Sequence, residues 1–346
     1  MAVSPSAPAA GRPWWHPEAV AERLPHLRTR ARVIATLRRY FDSRGFLEVE
    51  TPYLQVAPGA EVHLKAFATE LEDPFGGPSQ RLYLHTSPEF AMKKLMAGGV
   101  PRLYQLARVW RNAERSPTHS PEFTMLEWYR AGAGLEDLMD DCDAILSETG
   151  VCPRPAERLS VDEAFRRWVG FGVLETVDDP ESPDPDPRPL QQAAAALGHA
   201  ARPGERWEDM FFRLMLEYVE PNLGRDGRAT ILHSWPACMA ALARRSPADA
   251  RVAERFEIYY QGIELANAFA ELTDPVEQRR RFEHDMALKD RLYGERWPVD
   301  EEFLAALELG LPDSAGIALG LDRLVMLAAG VDDIRQVLWA PVGREG

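Results

Sequence analysis

Cysteine is scarce in this chain. Cys142, Cys152 and Cys238 are the three in 346 residues, an odd number with no CxxC pair. That excludes a disulfide framework and a paired-thiolate zinc site, and it points to idle thiols in a reducing, cytoplasmic setting. No apolar run reaches the roughly 18 residues of a membrane span, so no transmembrane helix is expected. Met1 to Pro13 is rich in Ala, Pro and Ser and lacks the apolar stretch of a signal peptide. Positive charge is in deficit: 40 Lys+Arg stand against 54 Asp+Glu, a net charge of −14. A broad basic footprint for nucleic acid is therefore disfavoured. The parallel-sheet nucleotide loops GxxxxGK[ST] and GxGxxG are missing, and so is HExxH. What the chain does have is bulk. At 45% hydrophobic it can fill one large core or two smaller ones.

The periodicity predicts a helix over Arg28 to Arg44, with Val33, Ile34, Leu37, Tyr40 and Phe41 on one face and Gly45 as its stop. A strand is expected over Phe46 to Glu50 and another over Arg81 to His85. Ser87-Pro88-Glu89 reads as a helix start: a capping serine, a proline in the first turn and an acid at the positive end of the dipole. Arg102 to Arg111 and Glu122 to Arg130 read as an antiparallel pair, followed by a helix over Leu135 to Thr149. Residues 176–189 are proline- and acid-rich, and a surface loop is expected there. Helical material follows over Leu190 to Val219, then a strand over Phe256 to Gly262. A strand over Ser314 to Gly320 runs into a last helix. Strands joined by hairpins, with helices in separate blocks, give an α+β class rather than alternating βαβ units.

The stretch from Arg111 to Tyr129 carries the chemistry. Strict alternation puts Phe123, Met125, Glu127 and Tyr129 on one face and Thr124, Leu126 and Trp128 on the other. An arginine, an aromatic plate, a carboxylate and a phenol on one sheet face is an unusual filling for a plain core, because buried charges need partners. The set suits a nucleotide phosphate beside a cationic substrate.

Three separated stretches then combine: Gly45 to Pro52, Arg108 to Tyr129, and Gly316 to Leu327 with its Gly320-Leu321-Asp322-Arg323. In this order they resemble the three signature motifs of the class II aminoacyl-tRNA synthetases, whose catalytic fold is mainly an antiparallel sheet flanked by helices. Thr86-Ser87-Pro88-Glu89, His119 to Glu127 and Gly262-Ile263-Glu264-Leu265-Ala266-Asn267 narrow the likeness to the lysine branch, over about residues 28–340. About 27 residues precede the first-motif helix, too few for a five-stranded OB barrel. The expected organisation is a tail over 1–27 and one catalytic domain over 28–346, with a helical, proline-rich insertion at about 151–250 and no anticodon-binding OB domain. Ala318 stands where lysine–tRNA ligases carry glycine. It turns the likeness toward the truncated paralogs that attach (R)-β-lysine to elongation factor P, since one methyl against a substrate is worth about 1–3 kcal/mol of discrimination.

The resemblance implies an ATP-dependent, AMP-forming ligase using Mg²⁺. It assigns Arg111 and Arg323 to the phosphates, Phe123 and Arg323 to the adenine, and Asn112, Ala113, Glu114, His119, Ser120, Ile258 and Gly320 to the rest of the ATP site. It gives Glu257 and Glu264 to the metal, both also counted as catalytic and as neighbours of ATP or substrate. It lines the amino-acid pocket with Ser87, Pro88, Glu89, Glu127, Tyr129, Glu264, Asn267, Glu271 and Ala318. Elongation factor P and a second copy of the chain are the implied partners, and tRNA is not. Two bland readings stand beside these: Asp322 as a cap of the last helix, and Arg279-Arg280-Arg281 as a solvated helix face.

One departure matters. The family pattern Arg-Asn-Glu is here Arg111-Asn112-Ala113, with Glu114 one place later. In a strand that shift turns the side chain to the other face, so Glu114 substitutes only where a bulge or turn re-aims it. Two other readings remain at this point: a catalytic-domain-only lysine–tRNA ligase, which charging of tRNA would select, and a non-catalytic synthetase-like binding or regulatory protein, which Ala113 motivates.

Overall fold

The computed structural model describes residues 12–343. In chain order the first half carries α1 (Pro17–Asp42), β1 (Leu47–Glu48), β2 (Leu54–Gln55), β3 (Phe67–Leu71), β4 (Gln80–Leu84), α2 (Glu89–Ala97), β5 (Arg102–Trp110), β6 (Glu122–Ala131) and α3 (Leu135–Glu148). Then come β7 (Glu157–Ser160), α4 (Val161–Trp168), α5 (Pro187–Ala195), α6 (Trp207–Leu214), β8 (Thr230–Pro236), β9 (Val252–Tyr260), β10 (Ile263–Ala270), α7 (Pro275–Tyr293), α8 (Glu301–Gly310), β11 (Ser314–Gly320) and α9 (Leu321–Ala329).

One eight-stranded sheet organises the chain, in the order β1-β5-β6-β11-β10-β9-β8-β7. Its interior pairs are antiparallel, and its two edge pairs, β1 with β5 and β7 with β8, are parallel. A small sheet, β2-β4-β3, stands beside it. The expected α+β class is what the chain adopts.

Alternation along β6 divides the molecule. Leu126 and Trp128 join the main core, which Val33, Leu37 and Phe41 of α1, Leu138 and Ile145 of α3 and Leu324 and Val325 of α9 close from one side. Phe123 and Met125 face the other way with Ala318 of β11. Tyr129 joins Phe90 and Met92 of α2 and Phe303 and Leu307 of α8. The functional cleft lies on this second side.

Several expectations are corrected. The first helix begins at Pro17, not Arg28, with His16 accepting from the Glu18 amide as its cap. The tail over 1–27 is thus helical from Pro17, and its first 11 residues lie outside those described. The strand expected over Phe46 to Glu50 is two residues long. The acid-rich loop ends early: Pro187 and Pro189 start α5, capped by Asp186, because proline fits the first turn, where its missing N–H is not needed. The insertion at about 151–250 is not only helical, since β7 and β8 from it complete the main sheet. Asp322 does not cap the last helix, whose cap position is Gly320. It is buried in an ion pair with Arg30 and accepts from the Thr124 amide at 2.7 Å, pinning α1 and α9 to β6. Arg279 and Arg280 pair with Glu301 and Glu277 on the surface as expected, but Arg281 is mostly buried and donates to the Ala241 and Ala243 carbonyls.

Candidate active site

A cavity of about 530 Å³ opens over the second face of the sheet. Arg111, from the end of β5, and Arg323, from the first turn of α9, both line it, although they are far apart in sequence. Between them lies His119. Arg323 Nη2 donates to His119 Nε2 at 2.6 Å, and His119 Nδ1 is 2.7 Å from Ser116 Oγ. Burial, then the charges of Arg323 and Arg111, hold the imidazole pKa below its ordinary value. A neutral ring that accepts from Arg323 through Nε2 and donates to Ser116 through Nδ1 satisfies every contact. Arg323 is steadied further by the Glu264 carbonyl, which accepts from Nη1 at 2.8 Å. The Arg111 guanidinium lies 5.3 Å from the Phe123 ring, and its buried Nε has no partner among the described residues. Planar donors held this way, around a void and partly unspent, suit phosphate oxygens. Phe123, Ser120 and Gly320 line the same end.

The Arg-Asn-Ala departure resolves in the backbone. Ala113 has φ +66°, the left-handed region that favours glycine. The turn this makes, with the Ala113 amide donating to Asn112 Oδ1, carries Glu114 into the cavity wall. The Asn112 and Ala113 side chains stay exposed outside that wall, and Asn112 pairs with Lys65 through its backbone. Neither Asn112 nor Ala113 therefore lines the cavity.

At the other end the wall is acidic. Ser87 and Glu89 line the cavity at the start of α2, and Ala318, packed with Phe123 and Met125, lines it between this end and the arginines. Pro88 occupies the cap position of α2 and stays out of the wall. Behind the wall Glu127, Tyr129 and Glu271 are fully buried. Ser87 Oγ donates to Glu127 Oε1 at 2.6 Å, and Tyr129 Oη donates to Oε2 at 2.9 Å. Burial, and then the charge of Glu89, push the Glu127 carboxyl up to about 8. Register explains the convergence: Ala318 pairs with Glu127 on one side and with Asn267 on the other, so one row across three strands carries all three. Gly316 is required there, because a Cβ would stand 2.3 Å from the Tyr129 ring and 2.4 Å from Glu271 Oε1.

The β9–β10 hairpin supplies two more carboxylates. Glu264 is half exposed at the cavity and Glu257 is buried, with Asn267 opposite Glu257 in register. Glu257 accepts from Arg255 at 2.6 Å and from Tyr259 Oη at 2.5 Å. Burial, then the charge of Glu264, push the Glu257 carboxyl up to about 7, and the same two causes push Glu220 to about 7. Glu257 does not line the cavity, and each of its oxygens already accepts a bond. Among the described residues no three such side chains group as a metal site, so a divalent cation here would rest on Glu257 and Glu264 alone and take its other ligands from outside the chain. Ile258 takes part through its backbone at most. One position from Glu257 on the same strand, its side chain is buried in the main core on the opposite face, so only its backbone can approach a nucleotide.

Sequence reasoning missed four polar contributors. Arg255 ties Glu257 to Asn267, donating to Asn267 Oδ1 at 3.1 Å. Glu61 is exposed in the cavity wall and interacts electrostatically with Arg111 and Glu89. Glu220 is the third. Lys93 is buried among the acids, and only its i+4 spacing from Glu89 gave a sequence signal.

The fold and the cavity together define a class II synthetase core, and the comparisons agree. The family model for class II tRNA synthetases (D, K and N) matches residues 20–343. The chain belongs to that family. Among its relatives, the elongation factor P–(R)-β-lysine ligase of Haemophilus influenzae (strain PittGG) is 43% identical over 324 residues, 94% of this chain and 96% of the relative. The proteins of the same name in Klebsiella pneumoniae (strain 342) and Proteus mirabilis (strain HI4320) are 44% and 42% identical, over 95% of this chain and 98% of each relative.

Proposed function

We propose that the chain is an ATP-dependent ligase that adenylates (R)-β-lysine and passes it to a lysine side chain of elongation factor P. The carrying observation is one cavity with guanidiniums at one end and buried carboxylates at the other, with Ala318 between them.

In the first step the amino-acid carboxylate attacks the α-phosphate and pyrophosphate leaves. A carboxylate is ionised at neutral pH, so no general base is needed. The site has to place the reactants and meet the charge that develops on the phosphate. Arg111 faces the α-phosphate and Arg323 the γ-phosphate. His119, neutral, keeps Arg323 in place. Glu257 and Glu264 would hold Mg²⁺, which when bound neutralises phosphate charge. Phe123 stacks the base, and Glu114 takes the place of the missing glutamate at 113. Glu89, Glu127 and Glu271 receive the two ammonium groups through charge-assisted hydrogen bonds, with Ser87, Tyr129 and Asn267 orienting them. In the second step the acceptor amine, in its neutral form, attacks the acyl carbon, the acyl–phosphate bond breaks as AMP leaves, and the nitrogen gives up a proton to solvent as the amide forms.

Three free thiols among the described residues suit a cytoplasmic setting. Among those residues no helix is long and apolar enough to cross a membrane. Exposed Leu47, Tyr53 and Leu54, beside the first motif, favour a homodimer through that surface, which sedimentation would reveal. The test of function is a pyrophosphate-exchange panel. (R)-β-Lysine should support exchange well above α-lysine, whereas exchange with α-lysine alone together with tRNA charging would select the tRNA ligase.

A further inference from the structure

Lys93 is an unused cation in a sealed acidic nest. Its side chain is 1% exposed, and its Nζ lies 2.5 Å from Glu89 Oε1 and 2.5 Å from Glu271 Oε2. The Tyr129 ring lies 6.0 Å away and the Phe303 ring 5.9 Å. Lys93 is within ion-pair distance of Glu271 Oε2, and Glu271 Oε1, also buried, has no hydrogen-bond partner among the described residues. Glu127 lies within electrostatic reach of both Lys93 and Glu89. Glu61, the next acid, interacts electrostatically with both Arg111 and Glu89.

The charges decide what the nest can hold. When all are ionised, the three carboxylates Glu89, Glu127 and Glu271 stand against one ammonium and leave two negative charges. We propose that Lys93 is a specificity-determining positioning residue: it fixes Glu89 and Glu271 about one nitrogen and sets the charge of the nest to match a substrate with two ammonium groups. This rests on the ligase reading above. A mono-amino acid would leave a buried carboxylate without a partner, the costly arrangement in a dry site. A nest without Lys93 would carry one acid too many, and that acid would take a proton instead of receiving the substrate.

Titration of the nest gives the direction of the test. Burial pulls the Lys93 ammonium down, but Glu271 and Glu89 lift it above its ordinary value, so it stays charged. Burial raises Glu271 as well. Protons shared among the acids near neutrality must leave when a diammonium ligand enters, so the amino-acid KM should fall as pH rises. Lys93→Met removes the cation and raises the acid pKa values, so that fall should move to higher pH.

The experiment measures KM for (R)-β-lysine and for ATP from pH 6 to 9 by pyrophosphate exchange, with ligand-induced Tm shifts as a binding readout independent of turnover. Lys93→Met should raise the amino-acid KM at least tenfold at pH 7 and recover toward pH 9, with the ATP KM within twofold of wild type. Lys93→Met combined with Glu271→Gln restores two negative charges, so its amino-acid KM should lie below that of Glu271→Gln alone. This second comparison stands even where the single lysine variant does not fold. An unchanged pH profile in Lys93→Met, or a double variant no better than Glu271→Gln, overturns the proposal. Wild-type protein that binds no diamino acid at all would overturn the ligase reading with it.

Discussion

The two ends of the cavity are built on opposite plans. The end we assign to the phosphates is open and underspent: Arg111 keeps a buried Nε without a partner among the described residues, and Arg323 is held by a neutral imidazole and backbone carbonyls. The end we assign to the amino acid is closed and internally bonded: Glu127 accepts from Ser87 and Tyr129, and Glu89 and Glu271 share Lys93. An open cationic end can accept a flexible triphosphate with little rearrangement. A sealed acidic end is selective, because each buried charge left unpaired is costly. Affinity for ATP and discrimination among amino acids should therefore respond to different substitutions.

The largest effect should come from the open end. Arg323→Ala or Arg111→Ala removes a donor to the phosphates and should lower exchange by about 10²–10³-fold. Equal loss with every amino acid tested would confirm that this end does not discriminate.

Glu127→Gln should act on the closed end alone. The amino-acid KM should rise about 10–100-fold, the range for losing a hydrogen bond to a charged group, with the ATP KM within about twofold. The same variant should stabilise the ligand-free protein at high pH. The native carboxyl keeps its proton up to about 8, while an unfolded glutamate loses it near 4.5. Between those values the native state binds more protons, so this group's contribution makes stability fall as pH rises. Thermal unfolding at pH 8 should show Glu127→Gln above wild type, and the gap should close toward pH 4.

Ala318→Gly tests the border between the ends. Adding or removing one methyl is worth about 1–3 kcal/mol, so the preference between the two lysine isomers should move toward α-lysine by about tenfold in kcat/KM. The smallest effect belongs to Ala113→Gly. Relief of its left-handed backbone should stabilise the fold by about 1 kcal/mol and leave exchange within about twofold. A large loss of exchange would mean that the Ala113 side chain matters to the nucleotide, against its exposed position.

Much of this was legible in the sequence, for a physical reason. The period of two along β6 separates Leu126 and Trp128 from Glu127 and Tyr129, and that division places the whole cleft. Short motifs with glycine or proline at their ends mark where strands and helices stop, so Arg111, Arg323 and Ser87 could be put at element ends. What could not be read depends on long-range pairing. β7 and β8 look like parts of an insertion until their hydrogen bonds join them to the sheet. Glu61 sits in an irregular loop without a pattern. Asp322 has the composition of a cap, yet its partner Arg30 is nearly 300 positions away. Ile258 shows the same alternation, since the side chain next to a site residue in a strand faces away from it.

The most direct test is the mass of elongation factor P after incubation with the purified protein, ATP, Mg²⁺ and (R)-β-lysine. The expected result is a gain of one lysyl residue on a single lysine side chain, absent without ATP and lost with Arg323→Ala. An unchanged mass, while the protein charges tRNA with α-lysine at a useful rate, would contradict the account.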